Sequence, residues 1–154
     1  MPSFASKYFG ILNYQEKSVI EFPRGLPGFA DEKQFVVIEQ PETKPLVFLQ
    51  SLRRAELCFL TVPVLALYPD YQLSICDEDL QLLGFPANHE PCIGAEIVCL
   101  GIISLSKDRP PTINLLAPVI INWRLGRAVQ VVQSETCYSH EHPLSETARA
   151  PLCW

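Results

Sequence analysis

Apolar residues in this chain fall in short runs separated by polar, proline- or glycine-bearing stretches, and most runs are rich in β-branched and aromatic residues. That pattern predicts short strands rather than long helices. Lys7–Leu12 and Ser18–Phe22 flank the polar Asn13–Lys17 and read as a hairpin. Gln34–Glu39 follows, built on Phe35-Val36-Val37-Ile38. After a turn at Pro41–Pro45 comes Leu46–Ser51, with Val47 and Leu49 on one face and Phe48 and Gln50 on the other. Arg53–Glu56 makes a charged reversal and Leu57–Val62 returns. Pro63–Pro69 has proline at both ends, so it is at most an edge strand. Gln72–Cys76 is predicted as a strand.

One helix is expected, over Asp77–Leu83. Asp77 is placed as its N-cap, Glu78 and Asp79 put negative charge on the first turn, and Leu80, Leu82 and Leu83 supply an apolar face. Gly84 ends it. Phe85–Gly94 is a loop. Ala95–Ser104 is apolar throughout and expected to be buried on both faces. Ser106–Pro111 turns the chain into Thr112–Leu116 and Val119–Trp123, broken at Ala117-Pro118, where a missing N–H implies a bulge or bend. Asn114 and Asn122 either face solvent or bond to backbone at that break; the second is preferred for Asn122. Ala128–Gln133 closes the sheet. The expected fold is all-β, a sandwich or a barrel of short strands in a single domain, with the polar residues beyond Ser134 as a loosely docked tail.

The stretch that organises the rest is Phe22-Pro23-Arg24-Gly25-Leu26-Pro27-Gly28-Phe29. Leu26–Phe29 fits a type II turn, with Pro27 presetting φ and Gly28 supplying the positive φ of the third position. Phe22, Leu26 and Phe29 are too apolar for a loop lying free in solvent. The segment is therefore read as a rigid corner pinned by its own side chains. As function, it is a preformed apolar knuckle for another protein; physics alone prefers the structural reading.

Composition narrows the chemistry. The chain is 48% hydrophobic and 19% charged, values of an ordered globular domain. A net charge of -5 disfavours general nucleic-acid binding, which needs a surplus of Lys and Arg on one face. Arg53 with Arg54, and Arg124 with Arg127, are small basic spots at turns. No apolar run reaches the ~20 residues of a membrane-spanning helix. The first residues lack a signal peptide's basic start and apolar centre, so a cytoplasmic location is expected. There all six cysteines should stay reduced, with Cys58, Cys76 and Cys99 inside apolar, strand-like runs. The sequence carries no Gly-x-Ser-x-Gly elbow, phosphate-binding glycine loop or Cys-x-x-Cys pair. Cys137, His140 and His142 are the best metal candidate: in an extended segment the two histidines share a side. A surface tail with incidental histidines is the preferred reading. A cysteine- or zinc-dependent enzyme built on these three is the alternative to a non-catalytic protein. His89, in a loop between Asn88 and Glu90, has no visible catalytic partner. Capping explains Asp77, Glu78 and Asp79 better than a metal site does, though the same charges can also form a partner-facing surface.

Several segments together resemble the FliW family of flagellar assembly factors. They are the Phe22–Phe29 corner, Tyr68-Pro69-Asp70-Tyr71 followed by Asp77-Glu78-Asp79-Leu80, and Thr112–Asn122. Gln130-Val131-Val132, Tyr138 and His142-Pro143-Leu144 complete the set. The resemblance implies a small β-barrel-like domain of short antiparallel strands over residues 1–144, with 145–154 as a flexible tail, and no catalytic activity or cofactor. It implies binding to newly made flagellin in the cytoplasm, and to CsrA, a dimeric RNA-binding translational repressor, the two excluding each other. Flagellin export would release the protein to antagonise CsrA allosterically, so that flagellin mRNA is translated. An acidic chain suits a partner with a basic surface. No direct nucleic-acid, membrane or small-molecule partner is implied. The chain departs from the family pattern at Arg53-Arg54, in its cysteine content and after Leu144. The docking surface is expected at Pro23, Gly25, Leu26, Pro27 and Phe29, at Pro69, Asp70 and Tyr71, and at Asp77, Glu78 and Asp79.

Overall fold

The computed structural model describes residues 2–26, 28–134 and 138–144. Pro27, Cys137 and the tail expected over 145–154 lie outside the described residues. The chain runs through β1 (Ser3–Ser6), β2 (Gly10–Asn13), β3 (Val19–Glu21), β4 (Gln34–Ile38), β5 (Val47–Ser51) and β6 (Cys58–Pro63). Helices α1 (Val64–Leu67) and α2 (Asp77–Leu83) follow, then β7 (Val98–Ser104), β8 (Thr112–Ile113), β9 (Val119–Asn122), β10 (Arg127–Gln130) and β11 (His142–Pro143).

Strands β3, β4, β5, β6, β7, β9 and β10 pair in that order, and β10 returns to β3, so the sheet closes into a barrel. Of the sandwich and the barrel that the pattern allows, the barrel that the resemblance implies is the observed fold. Its pairing is antiparallel except at one seam, where β10 runs parallel to β3 with Arg127 opposite Glu21. A ring with an odd number of strands cannot alternate direction all the way round, so one parallel pair is unavoidable. The seam is short, and the Glu21 N–H reinforces it by donating to the Gly126 carbonyl at 2.7 Å.

Two cores lie on opposite faces of one wall. Ile20, Phe22, Leu26, Phe35, Leu49, Leu100, Val119, Ile121 and Ala128 pack together inside the barrel. Cys99, Ile120 and Val129 point outward instead, and pack with Val64 of α1, Leu83 of α2, Tyr68, Tyr71, Ile97 and Ile113. Successive residues of β7, β9 and β10 thus alternate between two dry environments. This explains why Val119–Asn122 is buried at every position, and why the run around Val98–Ser104 is apolar on both faces.

Several predicted elements are corrected. The first hairpin is β1–β2, with Ser6 opposite Gly10, not Lys7–Leu12 with Ser18–Phe22; Val19–Glu21 belongs to the barrel. The hairpin docks on β5: Phe9 meets the Phe48 ring edge-on at 5.2 Å, and Ser6 Oγ donates to the buried Gln50 Oε1 at 2.8 Å. Part of Pro63–Pro69 is the single helical turn α1, a second helix that the proline ends concealed. Gln72–Cys76 is extended but joins no strand. The Thr112–Leu116 strand shrinks to Thr112–Ile113. Asp77 is the first residue of α2, while Cys76 takes the cap position and makes no side-chain cap bond. Cys76 is exposed rather than set in an apolar strand. Gly84 does end α2, with φ of 89°. Asn114 Oδ1 accepts from the Ala117 N–H at the Ala117-Pro118 break. Asn122 does not bond there: its side-chain amide donates to the Leu83 carbonyl at 2.8 Å, anchoring the end of α2 to the barrel.

Candidate functional site

The Phe22–Phe29 corner is a rigid projection of the barrel. The Phe22 ring is fully buried and meets Phe35 edge-on at 5.1 Å. Gly25 donates its N–H to the Phe22 carbonyl, and the Phe29 N–H donates to the Leu26 carbonyl at 2.7 Å, closing the expected turn around Gly28 at φ 82°. Gly25 is required twice over. Its φ is 65°, and a Cβ there would sit 2.5 Å from the Phe29 carbonyl oxygen and 2.7 Å from Ala30 Cα. Phe29 is half-buried, with its ring edge-on to Phe59 at 5.8 Å and the Arg54 guanidinium 5.6 Å from its centroid.

Beside the corner runs a shallow apolar groove of about 270 Å³, floored by Gly25, Leu26, Ala117 and Val129 and edged by Gly28, Val132, Arg24 and Gln130. Val132 is 67% exposed although it is apolar. Pro23 is exposed, whereas Gly25 and Leu26 are buried. Those two shape the surface and offer a partner little area.

Arg24 joins this corner to the start of α2. Its Nη1 donates to Asp79 Oδ1 at 2.6 Å and its Nη2 to Glu78 Oε1 at 2.8 Å. Burial alone would lower the Arg24 pKa, but the hydrogen bond and charge of Asp79, aided by Glu78, raise it above the ordinary value. Asp79 is buried, so only Asp77 and Glu78 of the acidic triplet present charge to solvent. Asp77 Oδ1 accepts from the Asn88 N–H at 2.9 Å.

The Tyr68–Tyr71 loop is held differently. Tyr68 and Tyr71 are both buried. Tyr71 stacks on Tyr138 at 4.3 Å and donates its hydroxyl to the Leu115 carbonyl; burial drives its phenol pKa well above the ordinary range. Pro69 and Asp70 are the exposed residues of this loop. The structure therefore brings the corner and the acidic helix start together through Arg24, and ties the tyrosine loop to the Leu115 and Tyr138 segments.

Of the candidate metal ligands, Cys137 lies outside the described residues, and the two histidines differ in burial. His142 is buried with its ring edge-on to Tyr68 at 5.1 Å, while His140 is exposed beside Glu141. Among the described residues, no group of three His, Cys, Asp or Glu side chains could hold a metal ion. His89 Nε2 lies 2.8 Å from Glu96 Oε2, and its ring stacks on Phe85. Glu96 Oε1 also accepts the Cys92 N–H, so this pair laces the Phe85–Gly94 loop to the chain that follows it.

Reading the sequence missed two residues that hold the site. Arg24 lies inside the corner, and no local signal there points to its partners on α2. Gln133, at the polar end of an apolar run, is buried and bonds both the N–H and the C=O of Ser74, at 2.8 and 2.9 Å.

The chain is thus a small domain of the closed β-barrel class, with a fixed corner and two short helices on its outer wall. The chain belongs to the FliW family: the family model described as FliW protein matches residues 3–144. Curated relatives named flagellar assembly factor FliW include one from Desulfitobacterium hafniense, 35% identical over 94% of this chain and 92% of its own. One from Heliobacterium modesticaldum is 38% identical over 88% and 86%, and one from Bacillus subtilis 31% identical over 90% and 94%. The solved crystal structure of the flagellar assembly factor FliW superposes with a TM-score of 0.80 at 30% identity, covering 93% of this chain and 96% of that one.

Proposed function

We propose that this chain is a flagellar assembly factor that works in the cytoplasm by binding other proteins and catalyses nothing. It takes up flagellin, and when flagellin is exported it is free to bind CsrA and relieve repression of flagellin mRNA. The observation that carries this reading is the family match over residues 3–144, with relatives of that name covered over almost their whole length. The architecture supports it: side chains with reactive potential, such as His89 and Glu96, are paired with each other and brace a loop. The negative net charge suits a basic partner surface.

The docking surface in this reading is the corner with its groove, next to the exposed acids of α2. Pro23, Phe29 and Val132 supply apolar contact, Gly25 and Leu26 set the shape, and Asp77 and Glu78 flank it, with Asp79 held by Arg24; Pro27, also expected here, lies outside the described residues. Pro69 and Asp70 form a separate exposed point, backed by Tyr71. Isothermal titration of the purified chain with flagellin and, separately, with CsrA tests the reading. Saturable binding to each is expected, weakened by P23D and V132D, which alter exposed positions. Failure to bind either protein would sink it.

A further inference from the structure

The segment Gln72–Cys76 belongs to no strand, but its burial pattern and the bonds to Ser74 are those of an extended chain. Its residues alternate between exposed and half-buried, with Leu73 and Ile75 turned toward the outer core. Along one side the backbone is satisfied by side chains rather than by a neighbouring strand. Tyr138 Oη accepts from the Gln72 N–H, and the Gln133 amide bonds both polar groups of Ser74, as a strand partner would. In an extended chain the N–H and C=O groups of Leu73 and Ile75 point to the opposite side. Among the described residues those groups have no hydrogen-bond partner. The segment lines a groove of about 830 Å³, closed on its far side by the Asn88–Ile93 loop. Asp77 and Glu90 edge this groove, and no Lys or Arg lines it.

We propose that this groove accepts one extended peptide strand from a partner protein, paired to the backbone of Leu73 and Ile75. The incoming strand alternates apolar residues, which meet Leu73, Ile75 and Ile93, with basic residues, which face Asp77 and Glu90. The free backbone groups supply the affinity of strand addition and the acidic rim supplies its selectivity. This surface is distinct from the corner groove, and the inference holds whether or not flagellin is a partner.

The test is amide hydrogen exchange on the full chain, with a short acetylated peptide alternating lysine and valine as the probe. The amides of Leu73 and Ile75 should exchange freely in the protein alone and slow by about tenfold or more with the peptide. The same peptide N-methylated at alternate amides should have no effect, a glutamate–valine peptide should protect less, and E90K should weaken protection by the lysine peptide. Three results would each overturn the proposal: no protection by the lysine peptide, equal protection by the N-methylated one, or Leu73 and Ile75 amides already protected in the protein alone.

Discussion

Arg24 and Asp79 stand 55 residues apart in sequence, yet Nη1 of one donates to Oδ1 of the other at 2.6 Å. The carboxylate is buried and the guanidinium half-exposed, so the bond fixes the corner against the first turn of α2 from a partly wet position. Truncation in R24A leaves a buried carboxylate without its cation. Because water and salt screen the open side, the expected loss is at the low end of the range for such pairs, about 1–2 kcal/mol. Urea denaturation should show it, and R24A in a D79N background should cost clearly less than R24A alone.

The two corner glycines should respond differently to alanine. Gly25 has φ of 65° and backbone atoms within 2.7 Å of the added methyl, so G25A should cost about 2–4 kcal/mol. Gly28 has φ of 82° but nothing within 4 Å, so G28A should cost about 1–2 kcal/mol, from the backbone conformation alone. Equal losses in chemical denaturation would contradict the packing described for Gly25.

The corner was legible in sequence because proline fixes its own φ and glycine alone readily takes a positive one, whatever lies elsewhere. The Leu26–Phe29 turn and the end of α2 at Gly84 needed no distant partner. Strand pairing is different. Lys7–Leu12 and Val19–Glu21 carry strand-like residues, but local pattern does not say which strands meet, and the hairpin is β1 with β2. Val64–Leu67 is a short apolar run that fits a helical turn or a strand equally well, and its packing against β6 and β7 decided the matter. The burial of Asp79 and the pairing of Ser74 with Gln133 depend on residues more than 50 positions away, beyond any local signal.

Acid should weaken the loop brace at Glu96. The Cys92 N–H and then the His89 side chain hold this carboxyl below its ordinary value of 4.5. A carboxylate with a depressed folded pKa contributes stability above its unfolded value, and that contribution is lost as pH falls through the folded one. E96Q should therefore be less stable than the unsubstituted protein at neutral pH, and the difference should shrink below about pH 4. Denaturation midpoints measured across that window check the sign.

The cysteines should divide by burial. Desolvation pushes the Cys58 thiol up to about 11 and the Cys99 thiol up to about 12, which leaves little thiolate near neutrality. Cys76 and Cys92 are exposed. Brief treatment of the native protein with iodoacetamide, read by peptide mass mapping, should modify Cys76 and Cys92 well before Cys58 and Cys99. Early labelling of Cys99 would mean that the wall between the two cores opens.

Competition between partners bears most directly on the proposed switch. Flagellin titrated into a preformed complex of this protein with CsrA, followed by size-exclusion chromatography with light scattering, should release CsrA and leave a binary flagellin complex. A stable species containing all three proteins would contradict the account.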